Sequence, residues 1–184
     1  MTKLIMGVDI TEVYSPERVN KTAAKYGLKP GSSLDLTNGW DFNKREHRRQ
    51  AWKKIMQEEP ELLIGSPPCT MFSILQQLNL AIHAEDVEWM RRFRKEWQVA
   101  VQHIEFCIRV YRHQLSQGRH FLHEHPWSAK SWRLEALMKF TRDTRVIWCK
   151  ADQCMYGLMT KGEKGEKSTR QEADRILSEF LGHC

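Results

Sequence analysis

The apolar residues of this chain gather in short, largely unbroken runs. Residues 3–10 (KLIMGVDI), 61–65 (ELLIG), 120–123 (HFLH) and 145–149 (RVIWC) read as strands, with 32–36 (SSLDL) as another. A strand with water on one face alternates apolar and polar residues; one covered on both faces does not. Helical signals fill the intervals. Ser15-Pro16-Glu17 offers an N-cap, a proline at the first helical position and an acid in the first turn, and Gly27 is the stop. Residues 44–57 have helical composition and end before Pro60. From Asp86 to Gln117 one long helix is predicted. Met90, Phe93, Trp97, Val101, Ile104, Ile108, Tyr111 and Leu115 recur along it at three- and four-residue steps, and Gly118 closes it. GEKGEK (162–167) reads as a surface loop and 171–181 as a short amphipathic helix. Strand–helix alternation predicts an α/β fold: a Rossmann-like, doubly wound, mostly parallel sheet in one domain spanning 1–184.

Composition narrows the function classes. The chain is 41% hydrophobic and 28% charged, the balance of a globular domain. No apolar run reaches the ~18 residues of a membrane span. The N-terminus reads as a strand rather than a signal peptide, so an intracellular protein is expected. Twenty-nine Lys and Arg against 23 Asp and Glu leave a net charge of +6, which favours a polyanionic partner. Five cysteines at irregular spacing argue against a disulfide framework. Cys149, Cys154, His183 and Cys184 lack the two-residue cysteine spacing of a zinc site, so no metal is assigned.

In parallel α/β sheets, ligands bind outside the carboxyl ends of the strands. Glu12, Asp35, the Pro67–Cys69 loop and Glu124 are all expected there. Cys69 follows a strand in a loop stiffened by two prolines, with a helix predicted to begin near Ser73; a helix N-terminus favours a thiolate. Glu124 ends the HFLH strand, where burial would raise its pKa and suit it to proton donation. A thiolate and a proton donor on one rim can make carbon-5 of a pyrimidine nucleophilic.

Gly65-Ser66-Pro67-Pro68-Cys69-Thr70-Met71-Phe72-Ser73 resembles the Gly-x-Pro-Pro-Cys-x-x-Phe-Ser signature of the cytosine-5 DNA methyltransferases. Phe121 to Pro126 is similar to that family's strand ending in Glu-Asn-Val, with Glu-His-Pro in its place. Tyr14-Ser15-Pro16, Gly39-Trp40-Asp41-Phe42 and Ser66-Pro67-Pro68-Cys69-Thr70 also resemble methyltransferase-like segments of some retroelement polyproteins. The resemblance implies a methyltransferase-type fold and S-adenosylmethionine as methyl donor. It implies a flipped-out cytosine in DNA, or RNA, and a covalent adduct of Cys69 with carbon-6. It makes Cys69 the nucleophile and Glu124 the acid. Pro68, Ser73, His125 and Lys150 are expected at the substrate, and Pro67 at the cofactor. The family's Gly-rich first loop is replaced by Thr11-Glu12-Val13-Tyr14-Ser15-Pro16. Glu12, Asp35, Asp41 and Phe42 are therefore the expected cofactor contacts, Asp35 at the ribose and Asp41 and Phe42 at the adenine. No target-recognition domain is discernible, so a homo-oligomer or a partner is expected to supply that role. Two rival readings remain: a catalytically silent nucleic-acid-binding or regulatory module, and a different modification or exchange at pyrimidine carbon-5.

Basic residues cluster at Lys44–Arg49, Arg91–Lys95 and Lys161–Arg170. Trp127, Trp132 and Trp148 follow the Glu124 motif, and aromatic rings beside cations suit unstacked bases, although such tryptophans also build cores.

Overall fold

A computed structural model describes residues 7–151. Four strands form one all-parallel sheet in the order β2-β1-β3-β4: β1 (Ile10–Val13), β2 (Pro30–Leu34), β3 (Leu62–Gly65) and β4 (His120–His123). Among the described residues five α-helices accompany them: α1 (Val19–Ala23), α2 (Arg45–Glu58), α3 (Leu75–Ile82), α4 (Val87–Ser116) and α5 (Glu135–Phe140). The fold is α/β and compatible with a Rossmann-like sheet. From β1 the chain steps outward to β2, then returns past β1 to β3 and β4. The strand order therefore reverses between β1 and β3, the place where open α/β sheets generally bind their ligands, outside the carboxyl ends of the strands.

The sheet divides the core in two. On one face Ile10, Leu62 and Ile64 pack with Val19 and Ala23 of α1. On the other, Val13, Leu34 and Leu63 meet Ala51 and Ile55 of α2, Ile104, Cys107 and Tyr111 of α4, and Leu137 and Phe140 of α5. Register explains the division: Leu63 lies beside Thr11 and Phe121, Ile64 beside Glu12 and Leu122. Leu122, on the first face, remains 37% exposed.

Boundaries moved where polar residues entered strands. The predicted strand 3–10 is observed at Ile10–Val13, and residues 1–6 lie outside the described residues. Thr11 and Glu12, expected in or beside a loop, are fully buried strand residues. Their side chains are satisfied internally: Thr11 donates to Glu58, and Glu12 accepts from the chain around α1. The second strand begins at Pro30 and ends at Leu34, because Asp35 caps a 3-10 turn over Leu36–Asn38. Residues 145–149 form no strand. Arg145 pairs with Asp143 and donates to the Leu115 carbonyl at 3.1 Å, which anchors the run to the end of α4, and Ile147 is 91% exposed. Residues 162–167 and 171–181 lie outside the described residues.

The long helix obeys its end signals. Asp86 accepts from the Trp89 N–H as N-cap, and Gly118 follows the last turn in the left-handed region at φ 71°. Its buried residues begin only at Ala100. Thirty residues make a helix about 45 Å long, whereas four-residue strands span about 13 Å. The N-terminal half of α4 therefore overshoots the sheet.

Candidate active site

The carboxyl ends of the four strands are laced together. Tyr14 N–H donates to the Leu34 carbonyl (2.9 Å), Ser66 N–H to Val13 (3.1 Å) and Glu124 N–H to Gly65 (3.0 Å). Cys69 leaves this rim through the buried Pro67 and the exposed Pro68, which have no N–H to continue the ladder, and is itself part-exposed. Its carbonyl accepts from Phe72 N–H at 2.9 Å, closing the 3-10 turn Thr70–Phe72, and Ser73 N–H bonds Thr70. Phe72 is fully buried against Trp97 (5.0 Å between centroids) and His125 (5.9 Å), so it pins the Cys69 turn down. The helix expected near Ser73 starts at Leu75.

Glu124 follows β4 beside Gly65, so it shares the rim with Cys69. Its predicted burial is corrected: it is exposed. The groups that burial perturbs are its neighbours. His123 faces α4, where its Nδ1 meets the Tyr111 hydroxyl at 2.9 Å. The His123 and His125 rings lie parallel at 5.5 Å, and Trp132 meets both edge-on at 5.5 and 6.0 Å. Burial lowers the His123 pKa to about 3, with the neighbouring His125 adding to the effect. Burial likewise lowers that of His125 to about 4. Both imidazoles are neutral near pH 7. His123 Nε2, both ring nitrogens of His125 and the Ser131 hydroxyl are buried without a hydrogen-bond partner. The sequence singles out His125 but not the neighbouring His123 and Ser131, whose polar atoms share its burial. The signal was the His-Glu-His alternation, which puts two imidazoles on one side and the carboxylate on the other.

The expected cofactor side is differently arranged. Glu12 accepts from Ser15 Oγ (2.9 Å), Asn20 N–H (2.8 Å), Arg18 N–H (3.3 Å) and Ser33 Oγ (3.2 Å), and is fully buried beneath α1. Tyr14 stands at the end of β1 with φ 60°, a left-handed conformation usual for glycine. Its ring packs on Phe42 at 4.3 Å and its hydroxyl meets His103 Nδ1 at 2.9 Å. Phe42, 4% exposed, also meets Phe106 at 5.5 Å and belongs to the core. Asp35 and Asp41 stay at the rim. Asp35 accepts from Thr37 N–H and Oγ1, and Asp41 from Asn43 N–H with Lys44 at 3.6 Å. The Asn43 bond, chiefly, keeps the Asp41 pKa below the usual carboxylate range. Two acids at the ends of β2 and its following turn suit an adenosine. The end of β1 does not suit the remainder of S-adenosylmethionine, because Glu12 is saturated and Tyr14 fills the loop that a cofactor would approach. As folded, these residues do not fit that cofactor.

Neither a family model, nor a curated protein, nor a solved structure matches the chain.

Lys150, near the far end of the described chain, lies with Nζ 5.6 Å from the centre of the exposed Trp127 ring. Among the described residues no group of three or more His, Cys, Asp or Glu could hold a metal ion. Cys154, His183 and Cys184 lie outside them. No described helix is long and apolar enough to cross a membrane.

Proposed function

We propose that this chain acts on a cytosine base of nucleic acid through Cys69, on a methyltransferase-type Rossmann scaffold. One observation carries the reading: Cys69 and Glu124 leave the carboxyl ends of two adjacent parallel strands, tied by the Glu124–Gly65 bond, next to the point where strand order reverses. In the chemistry these groups support, the Cys69 thiolate forms a bond to carbon-6 and the carbon-5/carbon-6 electron pair moves onto carbon-5. Glu124 is the proton donor the resemblance implies. Carbon-5 then takes an electrophile, and loss of the carbon-5 proton with expulsion of the thiolate restores the ring. The resemblance implies a methyl group from S-adenosylmethionine as that electrophile, with DNA as substrate. The residues at the end of β1 do not support that cofactor, so the step assigned to this chain is reversible addition at carbon-6, with water as the proton source at carbon-5. The saturated Glu12 and inserted Tyr14 favour one second reading, a silent nucleic-acid-binding module.

Tritium release separates them. DNA carrying 5-tritiated cytosine is incubated with the protein and with C69S, without donor; Cys69-dependent release is expected. A parallel incubation of 5-fluorocytosine DNA with S-adenosylmethionine tests methyl transfer through a denaturation-resistant adduct. Neither release nor adduct, from a folded protein that still binds DNA, would leave the silent module.

A further inference from the structure

Helix α3 is built inside out. Its half-buried side carries Gln76, Asn79 and Leu80, which line hollows shared with α4. Its outward side, counting the N-cap Ile74, carries Ile74, Leu75, Leu78, Ala81 and Ile82, and the four larger chains are 59–72% exposed. None of the helix residues is buried, and none is charged. A surface helix normally turns its apolar stripe to the core and its polar residues to water. Single aliphatic residues at a surface need no account, but these form one face. That face leaves about 500 Å² of apolar surface in water, at the upper end of what monomers carry.

The stripe is symmetric about Leu78. In an antiparallel pairing centred there, Leu78 of one copy meets Leu78 of the other, Ile74 meets Ile82, and Leu75 meets the small Ala81. The charges at the two ends follow the same symmetry. Beyond the carboxyl end of α3 stand the acids Glu85 and Asp86. At its amino end, Arg94 and Lys130 border the hollow beside Met71. Reversing a second copy sets two acids against two cations at each end. Other charges nearby are balanced within one chain: Arg91 pairs with Glu88 at 2.8 Å, and Arg92 and Glu96 line one hollow. Two such faces remove about 1,000 Å² of apolar surface from water, and the charged ends add to it, which reaches the size of a specific interface. A lipid surface would favour cations on the polar border throughout, whereas acids close the carboxyl end of this face.

We propose that the outward face of α3 is the contact between two copies of this chain, related by a two-fold axis near Leu78. Only Ser73 and Ile74 separate α3 from the Thr70–Phe72 turn that Cys69 opens, so the two Cys69 rims flank the axis. The inference stands on α3 and does not depend on the chemistry assigned to Cys69.

Sedimentation velocity on the full chain, from about 1 to 100 μM, tests this. A concentration-dependent dimer is expected. L75E/L78E should raise its dissociation constant about 100-fold or more, because the contact would bury unpaired carboxylates. The same variant should keep its Tm within about 2 °C of the parent, because both side chains are exposed in one copy. E85K/D86K should weaken the dimer, and adding R94E/K130E should restore it. A monomer across the whole range, or a dimer that L75E/L78E leaves intact, would overturn the proposal. So would a monomer that L75E/L78E destabilises, which would seat a segment of the same chain on α3. A monomer that sediments with phosphatidylserine vesicles through Leu75 and Leu78 would overturn it in favour of a lipid surface.

Discussion

Gly65 is the residue on which the rim's geometry turns, and G65A tests that. A methyl group there would fall within the van der Waals envelope of the Tyr111 hydroxyl and lie 2.9 Å from its Cζ and 3.2 Å from its Cε1. Tyr111 has nowhere to retreat: it is fully buried, stacked on Phe121 at 4.5 Å and close to Phe140 at 6.1 Å. Overpacking of this kind costs about 1–3 kcal/mol. Displacing the hydroxyl also leaves His123 Nδ1 unpaired, at about 1–3 kcal/mol more. A total of about 2–6 kcal/mol corresponds to a fall in Tm of roughly 4–24 °C for a domain of this size. Urea denaturation at pH 7 measures it, with m held constant as evidence that the denatured state is unchanged. The double variant G65A/Y111F removes the oxygen that clashes and should recover part of the loss relative to the sum of the single variants. A G65A protein within about 0.5 kcal/mol of the parent would refute the close approach and with it the account of how His123 is held.

Three further outcomes are expected. His123, His125 and His103 have folded pKa values depressed by burial to about 3, about 4 and about 4, below the unfolded value of about 6.5. The unfolded state then binds more protons below pH 6.5, so stability is full above that pH and falls on acidification, by up to about 1.4 kcal/mol per pH unit per histidine. Urea midpoints at pH 7, 6 and 5 should decline, and a flat profile would contradict neutral, buried imidazoles. E12Q should destabilise by about 2–4 kcal/mol, since its amide would face the Ser15, Arg18, Asn20 and Ser33 donors. Unchanged stability, in thermal denaturation, would return Glu12 to the ligand-facing role expected from sequence. C69S should leave the Tm within about 2 °C of the parent, because the side chain is part-exposed, yet remove tritium release; a large loss of stability would make Cys69 a core residue.

What could be read from residues and what could not divide along a physical line. The apolar run at 61–65 located β3 to within a residue because burial on both faces is written into that strand, and 120–123 located β4 although its residues alternate between exposed and half-buried. Asp86 and Gly118 bounded α4 through local cap chemistry. The Pro-Pro pair marked the strand exit that carries Cys69. The errors concern partners distant in sequence. Glu12 looked like a loop acid because its donors, Asn20 and Ser33, become neighbours only after β1, α1 and β2 assemble. Phe42 looked available because Tyr14 and Phe106, which enclose it, come from opposite ends of the described chain's first hundred residues. The periodicity of α4 was continuous from Met90 to Leu115, yet periodicity does not say whether a stripe meets a sheet or runs past its edge.

That overshoot has a mechanical consequence. Helix α4 is one unbroken rod, gripped by the sheet from Ala100 onward and loosely held before it. A load on Trp89 or Phe93 acts on a lever pivoted near Ala100, whose other arm carries Tyr111. Tyr111 touches Gly65 and His123 at once, so a tilt of the free arm would be delivered to β3 and β4 at the strand ends that bear Cys69 and Glu124. Amide exchange would reveal the two regimes along a single helix: fast from residue 87 to 99 and slow from Ala100 to Gln114.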